Sequence, residues 1–358
     1  MLYNKLTVNF GGKIMSVTKT FYGKTKDGKT VDKYIIKNKS GTSAEIITYG
    51  GTLDRLFIRD RGGKLEDVLI GFDSLEGHEN LSANQGVLVG RYANRIAGGR
   101  FSLDGENFEV THNENETCLH GGDEFSKAVW DGEILNDNSL KLSYFSPDMS
   151  CGFPGSLKVS VIYTLTEKDE LRLDFSGISD RKTIMNFTNH AYFNLGGFDS
   201  GDICGHELFV DADYFTPTDE NSIPTGEKRK VEGTPFDFRR MKAIGRDMGE
   251  NYDQLINARG YDHNFCINSP SLSKPCAVVK EPVSGRKMEV FTDLPGVQLY
   301  CGNFLDNVPG KAIMNKYYGF CLETQFWPDT PNQPDFPSCV FDKDEEFKTT
   351  TIFKFSTK

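Results

Sequence analysis

The chain has 358 residues, 51 acidic against 41 basic side chains, and a net charge of −10. Nothing in it forms the basic stripe that a phosphate backbone demands, so no nucleic acid partner is expected. No apolar run approaches the ~18 residues of a membrane span, and Met1 to Met15 lack the apolar core of a secretion signal, so neither membrane nor export is expected.

The composition holds 36 glycines, 27 phenylalanines and 14 tyrosines, a mix that favours strands and turns over helices. In chain order, Asp27-Gly28, Asp104-Gly105 and Asp137-Asn138 are turn signals between alternating runs. From Ser156 to Leu165 the period is two: Leu157, Val159, Val161, Tyr163 and Leu165 share one face, with Ile162 the exception on the other. The alternation resumes at Leu171, Leu173 and Phe175 after the polar turn 167–170, which predicts a β-hairpin. No stretch gives a long amphipathic helix, and there is no repeat, low-complexity segment or linker. The expected fold is all-β, a large single-domain antiparallel sandwich. The 8 cysteines are scattered singly without a C-x-x-C pair, which points to reduced thiols in a cytoplasmic protein.

Five polar clusters interrupt apolar runs. Gly90–Ile96 supplies Arg91, Asn94 and Arg95. His120 lies in Leu119–Gly122, His190 and Tyr192 in Asn186–Leu195, Asp262 and His263 in Tyr261–Phe265, and Glu323 in Leu322–Asp329. Each has a bland reading: a satisfied core histidine, a tight His-Gly-Gly turn, or an interior ion pair between Glu323 and Arg95. Together they supply imidazoles, carboxylates, amides and a guanidinium, the donors and acceptors that a sugar's hydroxyls need. An aromatic such as Trp327 or Tyr192 would cover an apolar sugar face. No H-E-x-x-H or close histidine pair suggests a metal, and neither a nucleophile elbow nor a phosphate-binding loop is present. On pattern alone, a glycosidase using Glu323 and Asp262 competes.

At these clusters the sequence resembles the aldose 1-epimerase (galactose mutarotase) family. Further matching stretches are Gly152–Gly155, Phe215–Glu220 and Pro295–Tyr300. The resemblance runs from residue 16 to the C-terminus, leaving residues 1–15 as an extension expected to be flexible. It implies the mutarotase-like supersandwich, an open cleft, and neither metal nor organic cofactor. It implies Glu323 as general base, His190 as general acid, and substrate contacts from Asn94, Arg95, His120, Tyr192, Asp262 and Gln298. The implied reaction interconverts the α and β anomers of a free hexose such as galactose or glucose. A hexose-6-phosphate mutarotase is the alternative, with Arg91 as the spare cation; a sugar-binding protein without catalysis is another. Tyr317-Tyr318 stands where relatives often carry a histidine, which bears on sugar preference. The mechanism calls for an ionised Glu323 and a protonated His190, whose reference pKa values are about 4.3 and 6.5; Asp262 is the neighbour expected to raise the imidazole. A monomer or weak homodimer is expected.

Overall fold

The computed structural model describes residues 15–80 and 84–357. Apart from Met15, the expected N-terminal extension lies outside these residues. Among the described residues no helix exceeds the six residues of Leu75–Asn80, and strands dominate.

Three sheets make the body. The first has five strands, Ser16–Lys24, Thr30–Lys37, Ser43–Ile47, Leu53–Arg59 and Leu65–Asp67, in chain order. The second has nine and is centred on Leu157–Leu165, Glu170–Ser179 and Glu346–Thr357. The third runs Arg229–Lys230, Ala212–Phe215, Asp262–Ile267, Gly296–Tyr300 and Cys321–Gln325. Their pairings are antiparallel throughout.

The turn chemistry places the hairpins. Asp104 and Gly105, at φ +51° and +84°, close the two-residue hairpin between Arg100–Leu103 and Glu106–Glu109, as two left-handed positions allow. The long hairpin pairs Leu165 with Leu171, Tyr163 with Leu173 and Val161 with Phe175. Its alternate apolar residues from Leu157 to Phe175 are at most 3% exposed. They join Tyr34 and Ile36 of the first sheet, and Phe265, Val297 and Leu322 of the third, in one core cluster. Truncating one such leucine to alanine costs about 2–5 kcal/mol. Tyr163 also donates its hydroxyl to Gly51 O at 2.9 Å, tying the nine-stranded sheet to a turn of the first.

The third sheet carries the polar residues. Its register aligns Asn264 with Gln298 and Gln298 with Glu323. Successive strand residues point to opposite faces. Leu322 therefore enters the core cluster, and Thr324 bonds Thr351 of the nine-stranded sheet. Cys321, Glu323 and Gln325 share the other face.

Candidate active site

A cleft of about 640 Å³ opens over the third sheet, lined by Asn94, Arg95, Glu114, His120, His190, Tyr192, Asp262, Tyr300, Phe304 and Glu323, with Glu220–Ile223 at the rim. The volume is in the range of small-molecule sites.

Two loops are stitched together on one wall. The short pair Arg95–Ile96 and Cys118–Leu119 sets Arg95 opposite Leu119. The His120 N–H donates to Asn94 O at 3.1 Å, and the Asn94 N–H donates to His120 Nδ1 at 3.2 Å. His120 Nδ1 is thus an acceptor, so the neutral ring carries its proton on Nε2. Burial holds His120 well below the usual imidazole range, with the neighbouring His190 and Arg95 adding to the effect. The His-Gly-Gly turn needs its glycine: Gly121 sits at φ +75°, and a Cβ there would lie 2.2 Å from Gly90 O.

Arg95 makes a two-pronged pair with Glu114, Nε to Oε2 at 2.6 Å and Nη2 to Oε1 at 2.9 Å. The bland alternative, an interior pair between Arg95 and Glu323, is not what the structure shows: the partner of Arg95 is Glu114. Glu114 belongs to no motif and offered no sequence signal, and the same is true of Phe304. Tyr300 ends the stretch Pro295–Tyr300 but carries no charge or imidazole to mark it.

On the floor, His190 and Glu323 face each other, Nε2 to Oε1 at 3.7 Å. His190 is 5% exposed and Glu323 is 2% exposed. Glu323 Oε2 makes no hydrogen bond among the described residues. The His190 ring stacks on Tyr192 at 5.0 Å and meets the edges of His120 and Tyr300. Burial pushes the Glu323 carboxyl well above its usual range, with Asp262 adding to it and Arg95 opposing it. Burial also pushes His190 down to about 4. With no sugar in the cleft, desolvation disfavours charge on both partners, and Asp262 is not among the groups that shift the imidazole. Both shifts favour the uncharged form of each partner.

Asp262 Oδ1 accepts the Gln298 amide at 2.7 Å, and Gln298 Oε1 accepts the Gln325 amide at 3.2 Å. Gln298 stands behind Asp262 rather than on the cleft wall. Three other residues lie off the cleft. Trp327 donates Nε1–H to Pro295 O at 3.0 Å and packs on Phe336, so it does not cover a sugar. His263 is fully buried, bonded through Nε2 to Gln254 and through Nδ1 to the Asp262 N–H. Arg91, also fully buried, donates to Ser146 and to the carbonyls of Pro147, Pro154 and Gly155. It organises the Gly152–Gly155 segment and is not the spare cation of a phosphate pocket.

His120, His190 and Glu323 bring one ligand atom each within 4.8 Å of one another, close enough to surround an ion. Ligating histidines normally donate their outer N–H to an acceptor. The outer nitrogen of His120 instead faces the Asn94 N–H donor. The trio is arranged for hydrogen bonds to a ligand rather than for a metal.

The fold and this cleft define an all-β protein with a buried imidazole–carboxyl pair at the floor of an open polar site. The aldose 1-epimerase family model matches residues 32–354, and the chain belongs to that family. It is 43% identical over 348 residues to galactose mutarotase of Rattus norvegicus, covering 96% of this chain and 99% of the relative. It is 33% identical to aldose 1-epimerase of Escherichia coli, covering 92% and 96%. The solved galactose 1-epimerase of Lactobacillus acidophilus superposes with a TM-score of 0.86 at 27% identity, covering 96% and 99%. The chain is thus an isomerase with mutarotase activity, which decides against the glycosidase reading.

Proposed function

We propose that the chain interconverts the anomers of a free hexose such as galactose or glucose, with Glu323 and His190 as the proton-transfer pair. The observation that carries this is the buried His190–Glu323 pair at 3.7 Å on the floor of an open polar cleft. Anomer exchange needs one group that takes the O1 proton and one that gives a proton to the ring oxygen O5. A pair holding a single proton supplies both. Sugar hydroxyls donating to Glu323, with the positive field of Arg95, favour the ionic arrangement in which Glu323 is the base and His190 the acid. Glu323 takes the proton from O1, His190 protonates O5, and the C1–O5 bond opens to the aldehyde. Rotation about C1–C2 presents the other carbonyl face, and closure reverses both transfers.

Asn94, Arg95, His120 and Asp262 hold hydroxyls, Tyr192 supplies an apolar wall, and Gln298 steadies Asp262. Arg91 lies outside the cleft, which favours free hexose over a hexose phosphate. The 8 free thiols support a cytoplasmic setting, and the protein is read as a monomer or weak homodimer.

The test is Glu323→Gln, which keeps the shape but cannot accept a proton. Polarimetry on fresh α-D-galactose and α-D-glucose should show exchange slowed ~10²-fold or more per folded molecule, with sugar affinity little changed. A well-folded variant with near-normal turnover removes Glu323 from the mechanism.

A further inference from the structure

One strand grips both nitrogens of the imidazole. Cys321 and Glu323 are two apart on Cys321–Gln325 and point to the same face. Glu323 Oε1 lies 3.7 Å from Nε2, and Cys321 Sγ lies 3.5 Å from Nδ1. The ring cannot swing away from this grip, because Tyr192 stacks on it and the edges of His120 and Tyr300 abut it. Cys321 is the side chain in hydrogen-bond contact with His190 Nδ1.

Which atom donates in the sulfur contact follows from the chemistry of the pair, and so rests on the proposed reaction. In both one-proton forms that can exchange protons with a sugar, the ring bears a proton on Nδ1. In one, Glu323 is protonated and Nε2 is bare. In the other, Glu323 is ionised and the ring is an imidazolium. Only Nε2 changes between them. If the thiol instead donated to Nδ1, the ring would be left as a neutral Nε2–H donor, far too weak an acid for O5.

We propose that Cys321 is the positioning residue of the general acid: its sulfur accepts the His190 Nδ1–H, fixes the tautomer, and leaves Nε2 as the working nitrogen. A sulfur is a weak, uncharged acceptor. A carboxylate in its place would draw the proton onto the ring and hold it there. The thiol orients the ring without charging it, so Nε2 stays free to exchange a proton with the sugar. Cys321 is fully buried, and burial pushes its thiol well up, which keeps a thiolate from replacing the neutral acceptor.

The test is nitrogen NMR of the whole labelled chain at neutral pH, with His190 assigned by the signal lost in His190→Gln. The wild type should show a protonated Nδ1 and a bare Nε2, the tautomer that histidine in water disfavours. Cys321→Ser keeps an acceptor and should keep this tautomer, with kcat within about threefold of wild type. Cys321→Ala removes it and should give mixed tautomers, with kcat down about tenfold, one hydrogen bond's worth, and KM little changed. A wild-type spectrum with the proton on Nε2 overturns the proposal, as does a folded Cys321→Ala variant unchanged in tautomer and turnover. The wild-type spectrum decides even if the alanine variant does not fold. It reads the tautomer whether or not the chain turns over hexose, so failure here is distinct from failure of the proposed function.

Discussion

Arg95 lines the cleft with two of its three nitrogens held by Glu114. A guanidinium clamped by a carboxylate presents its remaining edge in one geometry, and charge-assisted forks are the strong hydrogen bonds of proteins. Glu114→Gln keeps one acceptor and loses the charge. Its KM for hexose should rise about three- to tenfold, worth about 1 kcal/mol, while kcat stays within about twofold. Initial-rate polarimetry separates the two constants, and an unchanged KM would show that Arg95 orients itself. Residues of this kind mark the limit of sequence reading. His120, His190, Asp262 and Glu323 were legible because a charge or imidazole inside an apolar run is costly and so draws notice. Glu114 sits in a polar loop, where a carboxylate is unremarked until its partner is seen. The upward push on the Glu323 carboxyl was illegible too, since it depends on how dry the floor is.

At the scale of elements, the segment between Cys301 and Gly319 shows how a loop is held against a sheet. Lys311 Nζ, nearly buried, pairs with Asp67 Oδ2 at 2.9 Å and reaches Leu69 O at 3.3 Å, with Asp54 O as a third acceptor. The same segment carries Phe304, a wall of the cleft. Lys311→Met fills the same space but leaves the Asp67 carboxylate with only the more distant Arg55 guanidinium as its cation, at 3.7 Å. Loss of one partner of a buried pair costs about 3–5 kcal/mol, so the urea midpoint should fall accordingly. KM should rise as the rim loosens. A midpoint within experimental error of wild type would mean that the segment is held by its apolar contacts alone. Hairpins, by contrast, were legible. Period-two runs and Asp-Gly turns fix their own register locally, as Leu165 opposite Leu171 shows. A lysine that crosses from loop to sheet leaves no local trace.

Across the whole molecule, the class of fold followed from alternation and turns, but the order of strands did not. The nine-stranded sheet places Glu346–Thr357 between Glu170–Ser179 and Arg286–Thr292, a pairing between distant parts of the chain that no periodicity encodes. Burial on this scale also sets the response to acid. Burial lowers His206 from 6.5 to about 4, with Glu281 and Asp202 opposing it, and its Nε2 accepts the Leu195 N–H. Between those two values the unfolded chain binds a proton here that the folded one does not. The stability contributed by a neutral His206 is therefore full above pH 6.5 and is lost as pH falls toward 4. Glutamine can accept the same N–H and does not titrate. The stability of His206→Gln should thus fall less steeply in this window, by up to about 1.4 kcal/mol per pH unit. Denaturation series of variant and parent cancel the opposing buried carboxylates common to both. Parallel series would show that His206 is already protonated in the fold.

The cleft divides its labour between a floor of paired strand and walls of loop. Floor groups such as Glu323 sit in a hydrogen-bonded ladder whose other face is core, so neither their spacing nor their dryness can drift without cost to the whole fold. The rim at 219–223 closes on itself through Asp219, which accepts the Ile223 and Asn221 N–H groups. Such a rim can be exchanged as a unit. Over descent, or in the hands of an engineer, the range of sugars admitted is free to wander while the anomeric chemistry is inherited unchanged.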